Sequence, residues 1–233
     1  MTQETMKITL LVNWDSAAVL ALTLLAPSLA AFDVSVLYTR KKKPVAGTPR
    51  PLNALAAFEE KQLHQQAAIF DQFDARCIND INGKDFHLFL GTQPDLVISI
   101  RHMSILKEKV ITVPKLGVIN LHSGLLPAYQ GVMATFWAMQ HKEATIGTTL
   151  HFIEDSSIDT GPIISQSLTT ADYTQSYHWN MLSIYQGGCQ SIIDAITVLT
   201  NNNTLEAQAQ RGRSHYFSFP TEADLGEFKY PLF

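Results

Sequence analysis

Apolar positions along the chain fall into short continuous runs separated by longer segments in which they recur every three or four residues. Lys7-Ile-Thr-Leu-Leu-Val12 is β-branched and apolar and stops at Asn13-Trp14-Asp15, the pattern of a buried strand running into a loop. Asp15-Ser16 offers a helix cap, and Ala17 to Ala31 is rich in Ala and Leu, with Pro27 predicted in the last turn or at a break. Phe32 to Tyr38 reads as a second strand, and the basic run Arg40 to Lys43 with Pro44, Pro49 and Pro51 predicts a loop. Leu52 to Phe73 predicts a helix, Asp85 to Gly91 a short one, and Asp95-Leu-Val-Ile-Ser-Ile100 a strand buried on both faces. Further strands are predicted to end at Val118-Ile119-Asn120 and to run from Thr148 to Ile153, followed by a long amphipathic helix from Ser176 to Leu199, interrupted at Gly187-Gly188. Beyond Asn201-Asn202-Asn203 the chain turns polar and aromatic without regular period.

Strands alternating with helices predict an α/β fold with a doubly wound, mainly parallel sheet. The expected organisation is one domain over residues 1–200 and a short extension, 201–233, lying across it. No internal repeat is visible. With 233 residues, 46% hydrophobic and 16% charged, the chain has ample material for a core. A formal net charge of -4 gives no broad positive field, which argues against a nucleic-acid or anionic-membrane partner. Cys77 and Cys189 lie far apart, without the spacing of a zinc site and too few for a disulfide framework, so both read as reduced packing residues. The start, Met1-Thr-Gln-Glu-Thr-Met-Lys7, is too acidic and its apolar run too short for a signal peptide. No stretch approaches the ~20 apolar residues that span a bilayer. A soluble, cytoplasmic protein is expected.

The chemistry-bearing residues fall at predicted strand ends, where doubly wound sheets place their ligands. In Gly117-Val-Ile-Asn-Leu-His-Ser-Gly-Leu-Leu-Pro-Ala-Tyr-Gln-Gly131, a strand delivers Asn120 and His122 two positions apart and so on one face. An amide donor beside an imidazole suits acyl transfer to nitrogen, in which the carbonyl becomes a tetrahedral oxyanion and the attacking amine sheds a proton. The bland reading is a turn-capping Asn and a satisfied strand-end His. Downstream, Glu154-Asp-Ser-Ser-Ile-Asp-Thr-Gly-Pro-Ile163 ends a strand in an acidic loop able to bring Asp159 back to His122. A carboxylate beside an imidazole fixes its tautomer and stabilises the imidazolium. No cluster of His, Cys and carboxylates has metal-ligand spacing, so no metal is expected.

With these residues in place, the sequence resembles the folate-dependent formyltransferases, the family that includes glycinamide ribonucleotide, methionyl-tRNA and sugar N-formyltransferases. The shared pattern Asn-x-His-x-Ser-Leu-Leu-Pro-x-x-x-Gly, then Asp-x-Gly, is matched by Asn120, His122, Leu125, Leu126, Pro127 and Gly131, then Asp159 and Gly161. The likeness runs from about Lys7 to Leu199. It implies a Rossmann-like formyltransferase fold, 10-formyltetrahydrofolate as co-substrate, and a catalytic set in which Asn120 and His122 contact the formyl oxygen and Asp159 orients His122 and a proton-relaying water. Gly124 departs from the pattern, standing where the family has Ser, with a hydroxyl one place earlier at Ser123. By the same resemblance the folate pocket falls on Arg101, His102, Met103, Ser104 and Leu106, after the apolar strand, and on Asp155, Ser156 and Ser157 in the loop before Asp159.

The acceptor amine is a separate question. A glycinamide ribonucleotide enzyme would carry a Gly-Ser-rich phosphate loop after the first strand, where this chain has Asn13-Trp14-Asp15; a methionyl-tRNA enzyme would carry a further barrel domain and a basic surface. A small-molecule amine, best matched by a nucleotide-linked amino sugar, is the remaining expectation. Its candidate contacts are Asn13 and Trp14 and the basic residues Lys41, Lys42, Lys43 and Arg50, positioned to meet a diphosphate. An amino-acid-type amine, a 10-formyltetrahydrofolate hydrolase and a folate-binding protein without turnover stand as alternatives, and a homodimer is left open.

Overall fold

The computed structural model describes residues 5–40, 47–201 and 204–233. In chain order the elements are β1 (Lys7–Asn13), α1 (Ser16–Leu29), β2 (Asp33–Thr39), α2 (Arg50–Gln66), α3 (Ala68–Gln72), β3 (Arg76–Cys77), α4 (Phe86–Gly91), β4 (Leu96–Ile100) and α5 (Glu108–Ile111). They continue with β5 (Val118–His122), β6 (Gln130–Gly131), α6 (Ala134–Gln140), β7 (Thr145–Phe152), β8 (Ile163–Thr170), α7 (Tyr177–Ser183), α8 (Tyr185–Thr200), β9 (Tyr216–Phe217) and α9 (Glu222–Glu227).

The sheet has the order β3-β2-β1-β4-β5-β7-β8. The pairs from β3 to β5 are parallel, and β5–β7 and β7–β8 are antiparallel. The α/β class with a mainly parallel sheet is therefore as the sequence predicts. Strand periodicity sorts the apolar side chains onto two faces. Leu10, Val12, Leu96, Ile98 and Ile100 pack with α1 and α8 in one cluster. Leu11 and Val97 pack on the other side with Phe89, Val110 and Ile111 from α4 and α5.

Asp15 caps α1, its Oδ1 accepting from the Ala18 backbone N–H at 2.8 Å. Pro27 lies in the last turn of that helix, where its nitrogen has no hydrogen to donate to the carbonyl one turn back. The predicted helix over 52–73 is two helices, broken after Gln66. The late amphipathic stretch also divides in two, but at Ile184 rather than at the glycines. Gly187 and Gly188 lie inside α8, where the helix meets the sheet most closely: a Cβ on Gly188 would sit 2.8 Å from Thr148 Oγ1 and 3.1 Å from Leu121 Cδ2. The strand containing Asn120 continues two residues further than predicted, so that His122 is also part of β5.

The elements β3, α5, β6, α6, β8, β9 and α9 are not among those the sequence predicts. The segment after Leu205 packs against β8 and β6. Gln208 exchanges backbone hydrogen bonds with Ile163 at 2.8 Å, and β9 pairs in parallel with β6. Among the described residues no helix is long and apolar enough to cross a membrane.

Candidate active site

Asn120 and His122 leave the end of β5 on one face, as their spacing requires, and β7 runs antiparallel beside them with His151 opposite Asn120 in register. The loop after β7 returns Asp159 to the same place. His122 Nδ1 lies 3.4 Å from Asp159 Oδ2, and His151 Nε2 lies 3.5 Å from Asp159 Oδ1. Asn120, His122 and Asp159 thus converge, with His151 as a fourth polar member that sequence reasoning missed.

Hydrogen bonds to backbone carbonyls assign the ring nitrogens, because a carbonyl only accepts. His151 Nδ1 is 2.8 Å from the Phe152 carbonyl and so donates; Nε2 accepts from Asn120 Nδ2 at 3.1 Å in the neutral ring and donates to Asp159 Oδ1, 3.5 Å away, when the ring is protonated. This fixes the Asn120 amide and leaves its second N–H for another acceptor. His122 Nε2 donates to the Tyr129 carbonyl at 2.6 Å, which turns Nδ1 to Asp159. A proton arriving at Nδ1 completes a hydrogen bond to the carboxylate.

Asp159 itself is tightly held. Its Oδ2 accepts from the Gly131 N–H at 2.8 Å, and its backbone is left-handed, at φ 55°. Burial raises its pKa, but the facing His122, the His151 hydrogen bond and the Gly131 N–H outweigh it, and the carboxyl ends below its ordinary value of 3.8.

The turn after His122 explains the glycine at position 124. A Cβ there would stand 2.5 Å from Ala134 Cβ and 2.8 Å from His122 Nε2, closer than real side chains approach. The turn is held from the neighbouring strands instead: Thr149 Oγ1 donates to the Gly124 carbonyl at 2.7 Å and accepts from the Leu126 N–H at 3.1 Å. Gln166 Nε2 donates to the Leu126 carbonyl at 2.9 Å.

These residues form one wall of a cleft of about 260 Å³. Arg101, His102, Met103, Ser104 and Leu106 line it from the β4 side, and Asp155, Ser156 and Ser157 from the loop before Asp159. Burial pushes His102 down to about 4, against a backbone hydrogen bond with Val12 that raises it, and both ring nitrogens are shielded from solvent. The ring is neutral at pH 7 and lines the cleft without charge. Ile105 and Ile158 at the rim are each more than a third exposed, as are Tyr216 and Phe219 from the late segment. The last two were not expected from the sequence.

The proposed acceptor contacts lie elsewhere. Asn13 donates to Asp15 Oδ2 at 2.9 Å and accepts from Thr39 Oγ1 at 3.1 Å. Trp14 stacks on Phe70 at 4.5 Å beneath the Arg40 guanidinium. Neither lines the cleft, and Arg50, exposed at the start of α2, does not either. Lys41, Lys42 and Lys43 lie outside the described residues. The amino end of α1 is taken by the Asp15 carboxylate, which is also paired with Arg101 Nε at 2.7 Å. That end therefore offers no vacant anion site of the kind a free helix terminus makes. Among the described residues no group of three or more His, Cys, Asp or Glu is placed to hold a metal ion.

The formyl transferase family profile matches residues 23–196. A methionyl-tRNA formyltransferase of Chlorobium chlorochromatii is 26% identical over 164 residues, a match covering 70% of this chain and 52% of that protein. The chain thus spans about half the length of this relative. Among solved structures, a 4-N formyltransferase from Francisella tularensis superposes with a TM-score of 0.65 at 19% identity, covering 92% of this chain and 77% of that one. An N-formyltransferase from Helicobacter canadensis, in complex with folinic acid and dTDP-3-aminofucose, superposes with a TM-score of 0.61 at 22% identity, covering 94% and 72%. With the profile spanning most of the sequence and the fold shared, this chain belongs to the formyl transferase family.

Proposed function

We propose that the protein moves a formyl group from 10-formyltetrahydrofolate to the amine of a small molecule, a nucleotide-linked amino sugar. The observation that carries this reading is the meeting of Asn120, His122 and Asp159 on one wall of a ligand-sized cleft. The folate would be held by Arg101, His102, Met103, Ser104 and Leu106 on one side and Asp155 to Ser157 on the other, with the His102 ring uncharged. When bound, it supplies an activated formyl carbon.

The free N–H of Asn120 then donates to the oxygen as negative charge develops there, which stabilises the transition state more than the ground state. The proton lost by the attacking amine is accepted at His122 Nδ1 and shared with Asp159, then returned to the departing nitrogen. The sugar-nucleotide acceptor is supported by the folinic acid and dTDP-3-aminofucose bound to the Helicobacter canadensis protein and by the flat faces of Tyr216 and Phe219 at the rim. A cytoplasmic location fits a reaction that consumes reduced folate.

The test is turnover of 10-formyltetrahydrofolate with nucleotide-linked amino sugars and with amino acids as acceptors. Amine-dependent release of tetrahydrofolate is expected, and Asn120→Ala should lower kcat by roughly 10²–10³-fold, the loss of one oxyanion donor, with 5-formyltetrahydrofolate affinity nearly unchanged. Release that is independent of any amine points to a hydrolase, and binding without release to a folate-binding protein; either overturns the transferase reading.

A further inference from the structure

The family profile ends at residue 196, yet the chain beyond it reaches the reaction centre. The side-chain amide of Gln210 donates from Nε2 to two carbonyls at once, Asp159 O at 2.8 Å and Gly161 O at 2.9 Å. Gln130 Nε2 donates to the same Asp159 carbonyl at 3.1 Å. Two N–H bonds from one amide to carbonyls two residues apart span the turn Asp159-Thr160-Gly161, the turn in which Asp159 adopts its left-handed backbone. An amide turned the other way would place its oxygen against both carbonyls, so the donors must face them.

We infer that Gln210 is a positioning residue for formyl transfer, its amide pinning the Asp159 turn so that the carboxylate meets His122. The inference rests on the role proposed above for Asp159. The path of the late segment does not depend on the Gln210 side chain, since backbone bonds hold it on both sides. Gln208 pairs with Ile163 on one side; on the other, the Gln130 N–H donates to the His215 carbonyl at 2.9 Å and the Val132 N–H to the Phe217 carbonyl at 3.0 Å. The Trp137 indole N–H adds a bond to the Ser218 carbonyl at 3.1 Å. Removing the amide therefore releases the Gly161 carbonyl and leaves the Asp159 carbonyl to Gln130, loosening the turn without freeing the segment.

The groups that face the Asp159 carboxylate are His122 from β5, His151 from β7 and the Gly131 N–H from β6. All three hold it below its ordinary pKa against burial. A loosened turn weakens these contacts together, so the carboxyl should titrate at higher pH.

The experiment replaces Gln210 by Met, of similar length without the donors, in the full chain. Against an acceptor that the parent uses, kcat should fall by roughly ten- to a hundredfold, as expected for a misplaced catalytic group. The acid limb of its pH profile should move upward, while 5-formyltetrahydrofolate affinity and melting temperature stay within error of the parent. Parental kcat with an unmoved limb overturns the inference, and so does a loss of rate that merely tracks losses of melting temperature and folate affinity. Nuclear magnetic resonance titration of the Asp159 carboxyl in parent and variant decides the matter without turnover. An upward shift in Gln210→Met supports the clamp, and an unchanged titration overturns it even if the parent transfers formyl to none of the amines tried.

Discussion

Asp159 and Glu59 are buried to similar depth, their side chains 10% and 19% exposed, yet desolvation loses at the first and wins at the second. Asp159 meets two imidazoles and a backbone N–H, and its pKa falls. Glu59, on α2, has the Ser16 hydroxyl at 3.2 Å and His178 Nε2 at 3.6 Å. Burial and the nearby Asp15 charge raise its pKa to about 7, against the opposing charge of Arg101. Depth alone does not decide the charge of a buried carboxyl; the number and sign of the groups aimed at it do. One site keeps an anion beside two imidazoles, and the other gives up its charge within the physiological range.

The largest expected effect comes from taking the anion away. Asp159→Asn keeps size and shape but removes the partner of His122 Nδ1, so kcat should drop on the order of 10²–10⁴-fold with folate affinity retained. Equal activity of variant and parent across the pH range would remove Asp159 from proton handling and leave the contrast with Glu59 without a functional meaning.

Next in size is Arg101→Met, which breaks the 2.7 Å pair with Asp15 and leaves that carboxylate 5% exposed without its cation. Breaking such a pair costs roughly 3 kcal/mol, the low end of the range because the guanidinium keeps some contact with water. Chemical denaturation measures it, and the Glu59 titration should also move further up as an opposing positive charge disappears. A variant as stable as the parent would show that the pair contributes little beyond its own desolvation.

The smallest effect is a matter of pH. A carboxyl whose folded pKa is raised holds its proton in the fold while the unfolded chain has already lost it. Its contribution to stability is therefore full below about 4.5, falls as pH rises, and is gone above about 7. The interval corresponds to no more than about 3 kcal/mol. Glu59→Gln should abolish that decline, so parent and variant melting temperatures should diverge between pH 4.5 and 7 and run parallel above. Asp159 has the opposite sign: its contribution is present above its ordinary 3.8 and is lost as pH falls further. Parallel curves throughout would place Glu59 with the ordinary carboxylates.

The sequence carried the parallel half of the fold and the core of the site because those features are local. Continuous apolar runs mark β1 and β4, Asp15 signals its own helix cap, and the spacing of Asn120 and His122 puts them on one face whatever the rest of the chain does. What stayed hidden depends on pairing. In β8, Ile163-Ile-Ser-Gln-Ser-Leu-Thr-Thr170 is an edge strand whose polar residues give little periodic signal. His151 was one more polar residue in a strand until the antiparallel register set it opposite Asn120. Gln210 lies 51 residues from Asp159 in a segment with no regular pattern, and only the folded path brings its amide to that turn. The late helix breaks at Ile184 rather than at Gly187-Gly188 because those glycines serve a close approach and not a kink.

That close approach sets a mechanical tolerance. Leu121, the side chain nearest α8 at Gly188 along with Thr148, sits on β5 between Asn120 and His122. The clearance between helix and sheet is therefore also the clearance behind the strand that carries Asn120 and His122. A single added methyl group at position 188, which does not itself line the cleft, would press on the strand from its rear. The molecule can be detuned from behind, by a change that leaves Asn120, His122 and Asp159 chemically intact.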